Sequence, residues 1–196
     1  MTIPARDTNT RYGTVAMSLH WLIAAAVLFN VWLGFTMNEM QSADPDRIWY
    51  VQMHKSTGLS ILVLSVVRVL WRFVNPMPAL PAHMATWERV LARGVHYAFY
   101  VLIIAIPLAG WAMVSSSPAG RPTIWYGLFE WPHIPWLAEL PREDKQQIVG
   151  FFHDTHNLLA YLAIALVVLH TAAALKHHFW DRDTVLSRML PWTKVR

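Results

Sequence analysis

The chain has 196 residues, of which 55% are hydrophobic and only 14% charged, with a formal net charge of +4 and no cysteine. Long uncharged runs at that composition point to a membrane bundle rather than a soluble domain. The missing cysteines exclude disulfides, thiolate metal sites, iron–sulfur clusters and the C-x-x-C-H attachment motif together. Ten histidines are left as the strong soft-metal ligands. Basic loops and eleven tryptophans are what insertion into a bilayer requires, so the positive charge does not argue for a nucleic-acid partner.

The polar start carries Arg6 and Arg11, and an apolar run over 12–37 follows at once. That run is longer than a signal-peptide core and no small-residue cleavage site closes it, so it reads as a first membrane helix, with His20 about two turns in. Asp44-Pro45-Asp46 supplies turn chemistry in the link that follows. A second span over 48–73 has His54 and Lys55 near its start and Arg68 and Arg72 near its end, and Asn75-Pro76-Met77-Pro78 with Pro81 stops it. An amphipathic lead-in over 85–93 precedes a third span over 94–114 that contains His96 and Pro107. The segment 115–150 is too long for a bare turn. Its three tryptophans, Trp125, Trp131 and Trp136, and five prolines place it partly on the bilayer surface, with a short interfacial helix expected over 141–150. A fourth span over 152–178 completes the expected architecture, an all-α integral membrane four-helix bundle forming one domain over 1–196.

Four spans put both termini on one side. The N-terminus, the second connector and the tail, counted with the adjoining helix ends, hold eleven of the sixteen cations, and the other two loops hold five. This positive-inside bias predicts cytoplasmic termini.

The histidines carry the chemistry. His156 and His170 are fourteen residues apart, nearly four helical turns, so they share a face at two depths about 21 Å apart. His20 then matches His170 near the inner face, and His54 matches His156 near the outer. Two imidazoles on facing helices at one level are what a bis-histidine b-type haem needs. Two haem b groups follow, an inner one on His20 and His170 and an outer one on His54 and His156. Gly58 and Ala160, one turn after two of the ligands, would leave space for a flat macrocycle. Taken singly, a histidine here has the alternative of simply hydrogen-bonding a neighbouring helix; four at matched depths weigh further against that.

The other histidines divide differently. His153 lies about 100° off the shared face and reads as an interfacial polar residue. His96 has no mate at its depth once His20 and His170 are paired, and reads as bonded to a propionate or to water. His177, seven residues beyond His170, would sit beside the edge of the inner haem. A quinone head group needs a donor and a route for protons, and a rim histidine supplies both; the alternative is an anchor of the helix end with Lys176 and His178. His83 and His133 read as solvated loop residues. Arg68 and Arg72 read as positive-inside anchors or as partners of a haem propionate.

Several stretches taken together resemble the bacterial cytochrome b561 family of di-haem membrane proteins. They are SLHWL at 18–22, MHKSTGLSILVLSVVRVLWR around His54, VHYAFYVLIIAIPLAGW in the third span and LHTAAALKHHFW ending at Trp180. The resemblance covers nearly the whole chain and implies the same two ligand pairs, His20 with His170 and His54 with His156. It implies also a ubiquinone-like acceptor at His177 and a place in the bacterial inner membrane. The implied activity is that of a superoxide:ubiquinone oxidoreductase, taking electrons from superoxide or a redox partner protein at the outer haem and passing them to quinone at the inner one. The competing role is an electron-relay subunit for a hydrogenase or other dehydrogenase. A histidine-lined metal or proton transporter fits less well, because the bundle lacks deep intramembrane carboxylates.

Overall fold

The computed structural model describes residues 3–75, 77–81 and 84–193; Pro76 and His83, and with them Lys194 and Arg196 among the tail cations counted above, lie outside these. The chain folds into α1 (Thr14–Glu39), α2 (Arg47–Phe73), α3 (Thr86–Ser115), a hairpin of β1 (Thr123–Trp125) and β2 (Phe129–Trp131), a one-turn helix α4 (Pro135–Ala138) and α5 (Arg142–Phe179). Helices α1, α2, α3 and α5 are each long and apolar enough to cross a membrane. Even α1, at 26 residues, extends about 39 Å against a hydrocarbon core of about 30 Å. Inside lipid only a helix satisfies its own backbone groups, so apolar runs of this length become helices. The all-α bundle of four membrane helices is therefore dictated by composition.

Two helices run further than their apolar cores. The lead-in before the third span is the first turns of α3, since nothing over 86–93 breaks a helix and a Cβ at Gly94 would meet nothing within 4 Å. The stretch expected as a separate interfacial helix is continuous with α5, which begins directly after Pro141. Glu143 and Asp144 sit at the amino end of α5 and Lys176 at its carboxyl end, each matched to the sign of the helix dipole there. At 38 residues α5 is about 57 Å long, and its ends stand clear of the hydrocarbon.

Packing follows a single file. Helix α1 lies on α2, α2 on α3, and α3 on α5, whereas α5 makes no comparable contact with α1 or α2. The seams are closed by Met17, Ile23 and Leu33 of α1, Leu59 and Leu62 of α2, and Leu102 and Ala109 of α3, with Ser56 and Ser65 fully buried. Small residues of this kind allow helices to approach where lipid provides no hydrophobic force between them. No described residue of α5 is buried. One side of it faces lipid, and another faces a slot toward α1 and α2.

Each end of the bundle is closed by hydrogen bonds. At one end Arg11 donates to the carbonyls of Thr193 (2.7 Å) and Leu190 (2.5 Å), and Trp21 Nε1 to that of Met189 (2.8 Å). The Ala79 amide donates to Asn9 O (3.0 Å) and Arg188 to Ala79 O, so the N-terminal segment, the α2–α3 connector and the tail form one cap. At the other end the hairpin pairs Thr123 with Trp131 and Trp125 with Phe129. Its turn has positive φ at Tyr126 (46°) and Gly127 (78°), the primed geometry that matches the twist of a hairpin. The hairpin is folded down onto α2. Ser56 Oγ donates to Ile124 O (3.2 Å) and accepts from the Tyr126 amide (3.1 Å), while Lys55 Nζ donates to Pro122 O (2.9 Å).

Candidate functional site

Across the slot, His54 of α2 faces His156 of α5 with ring centres 6.0 Å apart. Each ring is turned by a hydrogen bond to the helix beside its own. His54 Nδ1 donates to Asn30 O of α1 (3.1 Å), and His156 Nδ1 donates to Ile106 O of α3 (2.9 Å). A carbonyl only accepts, so both rings carry their proton on Nδ1 and keep Nε2 free as a ligand atom. Both carbonyls lie four residues before a glycine, and the rings rest on those glycines. A Cβ at Gly34 would stand 3.3 Å from His54 Cε1, and one at Gly110 would stand 3.2 Å from His156 Cε1 and Nδ1.

The inner pair repeats the spacing with different surroundings. His20 of α1 and His170 of α5 have ring centres 6.4 Å apart. His96 of α3 corrects the expectation that it has no mate at its depth: its ring lies 5.9 Å from that of His170, and Phe99, one turn on, lies 5.4 Å away. The cause is the close packing of α3 on α5, an adjacency that depth alone does not give. Arg68 Nη1 donates to Ala16 O (3.2 Å), one turn before His20, and Arg72 Nη1 donates to Asn75 O (2.8 Å) at the end of its own helix. His153 stands apart from both pairs, exposed and 3.1 Å from Asp154.

Both pairs suit a shared metal. An ion about 2 Å from each of two imidazole nitrogens puts the ring centres about 6 Å apart; His96 and His170 meet that spacing too, but they stand on helices packed directly on each other, whereas His20 and His54 face α5 across the slot. Nitrogen donors facing one another across a slot are the kind of residues that would hold a b-type haem, which would supply one-electron chemistry there, and the two glycine-seated outer rings make the Nδ1–H bonds that metal-bound histidines use. The residues therefore fit the group.

Beyond the inner pair, at the carboxyl end of α5, a cleft of about 280 Å³ is lined by Met84, Glu88, Lys176, His177, Asp181 and Asp183. His177 Nδ1 lies 2.7 Å from Asp183 Oδ2 and 3.1 Å from Asp181 Oδ2. Asp183 is 3% exposed and also accepts from the Val185 amide (2.9 Å). Lys176 bridges Asp181 (2.8 Å) and Glu88 (3.2 Å), and Glu88 accepts the Ala85 amide at the start of α3 (3.2 Å). The three ligand atoms of His177, Asp181 and Asp183 lie within 4.8 Å of one another, yet Lys176 already compensates Asp181. His177 is thus a held side chain with Nε2 left over.

The sequence model of the family described as prokaryotic cytochrome b561 matches residues 11–192. The chain belongs to that family. Cytochrome b561 homolog 2 of Escherichia coli K12 is 36% identical to it over 187 residues, covering 94% of this chain and 93% of its own. A probable superoxide oxidase CybB of Yersinia pestis is 30% identical over 185 residues, covering 93% and 97%. A probable Ni/Fe-hydrogenase B-type cytochrome subunit of Rhizobium leguminosarum bv. viciae is 22% identical, covering 87% and 82%. As a prokaryotic cytochrome b561 the protein is a multi-pass membrane protein of electron transfer, a class that carries b-type haem.

Two parts of this cytochrome b561 site escape a reading by spacing. Gly58 does not face the slot: a Cβ there would lie 3.6 Å from Asn30 Nδ2, at the α1–α2 seam. Gly34 and Gly110 are the glycines at the rings, and a search for glycines inside apolar spans would have raised them. Asp181 and Asp183 follow His177 by four and six residues, and carboxylates just past a helix-terminal histidine are a signal legible in sequence.

Proposed function

We propose that the chain holds two b-type haems in one domain over 1–196, the outer on His54 and His156 and the inner on His20 and His170. Its activity is that of a superoxide:quinone oxidoreductase, with the quinone received in the cleft at His177. The observation that carries the reading is the pair of histidine couples, 6.0 and 6.4 Å between ring centres, at two levels of one slot. Bound haem supplies the one-electron chemistry that joins the two faces. The chain's residues do the rest. Asn30 O and Ile106 O hold the outer rings in one tautomer, and Asp183 takes the Nδ1–H of His177 so that Nε2, once it has taken a proton from the water at that face, can donate it to a quinone carbonyl and be reprotonated for the next. Two superoxide anions yield two O2 and two electrons; a quinone takes these with two protons to become the quinol. The 30% identity to a protein named a probable superoxide oxidase supports the donor, and the positive-inside bias supports cytoplasmic termini.

A relay subunit for a hydrogenase or other dehydrogenase is the second reading, favoured by the likeness to a hydrogenase B-type cytochrome subunit. The outer charge favours it too. The loops on that side carry eight acidic residues against five cations, and Lys55, beside His54, is held on Pro122 O, so steering of an anion by overall charge is weak.

A reduced-minus-oxidised spectrum of the purified protein should show two b-type haems per chain. His156→Ala should lose one haem and keep the other, whereas His153→Ala should keep both; loss of a haem from His153→Ala would overturn the outer pair. Superoxide-driven quinone reduction by the isolated chain separates the readings, since a relay would turn over only with its partner present.

A further inference from the structure

The two pairs differ in what stands behind the rings. Both outer ligands donate Nδ1–H to a main-chain carbonyl, at 3.1 Å for His54 and 2.9 Å for His156. Both do so by lying against a glycine one turn further along the helix that owns the carbonyl, Gly34 after Asn30 and Gly110 after Ile106. The arrangement is the same on α1 and α3, although the two segments share no sequence motif. Among the described residues the inner ligands have no such anchor. His20 lies against Trp21 and His170, and His170 against His96 and Phe99. Arg68, bonded to Ala16 O one turn before His20, is near enough to act electrostatically on both inner rings.

We infer that Gly34 and Gly110 are positioning residues of the outer site, and that with the carbonyls they expose they set its haem to a lower midpoint potential than the inner one. The inference rests on the two-haem reading above. A ligand imidazole that donates its other N–H is a more basic ligand and stabilises ferric over ferrous iron, which lowers the potential. A cation beside a site favours the less positive, ferrous state and raises the potential; Arg68 reaches Ala16 O, one turn before His20 of the inner pair, whereas Lys55, next to His54 in sequence, is turned onto Pro122 O of the hairpin. Both effects order the sites the same way, downhill from the outer face toward the His177 cleft. A methyl group at either position would stand 3.2–3.3 Å from ring atoms, tighter than ordinary contact, so the ring would have to give by a few tenths of an ångström and its bond to the carbonyl would be strained.

Potentiometric titration of the haem-loaded protein tests this, with His156→Ala, which keeps the inner haem alone, used to tell which wave is which. In the wild type the lower wave should be the outer haem. Gly110→Ala and Gly34→Ala should each move that wave upward, or release the outer haem alone, and leave the inner wave in place. Gly94→Ala, on the same helix as Gly110 but with nothing within 4 Å of the new Cβ, should move neither wave. If Gly110→Ala does not accumulate, Gly34→Ala, whose contacts are looser, carries the test. An outer wave above the inner one in the wild type, or an outer wave unmoved in the glycine variant that loads haem, overturns the inference. A wild type with fewer than two haems would instead overturn the reading on which it rests.

Discussion

Asp183 shows how much a single carboxylate can decide. It sits 2.7 Å from His177 Nδ1 and is itself fixed by the Val185 amide, so the imidazole cannot rotate freely and Nε2 is its one available nitrogen. Asp183→Asn keeps the shape and removes the charge. Quinone reduction should fall by about ten- to a hundredfold, the range that follows loss of a histidine's orienting partner, while both haem spectra stay unchanged. A loss of haem instead would show that Asp183 supports the fold rather than the acceptor. His177 itself was legible from its place one heptad beyond His170. Its partner was legible only as one of two nearby carboxylates, because the chain turns back after Trp180 before it brings Asp183 against the ring. The same limit applies to His96. Spacing along α5 fixes which histidines share a face, but only the contact between α3 and α5 places the His96 ring 5.9 Å from His170.

Elements differ in legibility according to what makes them. The membrane helices follow from apolar length, which is a property of the chain alone, and the merging of the 85–93 lead-in with α3 and of the 141–150 stretch with α5 changes their ends rather than their existence. The hairpin depends on a neighbour. Its strands have three residues each, too few to be stable alone, and they are held on α2, where Ser56 bridges Ile124 O and the Tyr126 amide and Ser60 Oγ accepts from Trp125 Nε1. Ser56 is fully buried, so Ser56→Ala leaves both main-chain groups without that partner, at a cost of about 1–3 kcal/mol. The expected outcome is a lower melting temperature and faster proteolysis within 121–131, with haem content retained at low temperature. Unchanged protection of the hairpin would mean that its other bonds to α2 suffice, from Lys55 to Pro122 O and from Gln52, which donates to Pro122 O and accepts from the Ile124 amide.

For the whole molecule, everything termed outer or inner depends on orientation. The cap that joins Asn9, Ala79, Arg188 and Leu190 puts the N-terminal segment, the second connector and the tail at one end, and the hairpin with the start of α5 at the other. Among the described residues nine cations belong to the first end and five to the other, and such an excess is favoured on the cytoplasmic side during insertion. The chain has no cysteine, so a single introduced thiol reports on one position without background. Asn9 and Gln146 are both exposed, at opposite ends of the bundle. In intact cells with a permeabilised outer envelope, a membrane-impermeant maleimide should label Gln146→Cys and spare Asn9→Cys, and both should react once the membrane is opened. The reverse pattern would place the His177 cleft on the outside. Protons for the quinone would then be drawn from the outer face, and His54 and His156 would meet a cytoplasmic donor, which superoxide produced outside the membrane could not be.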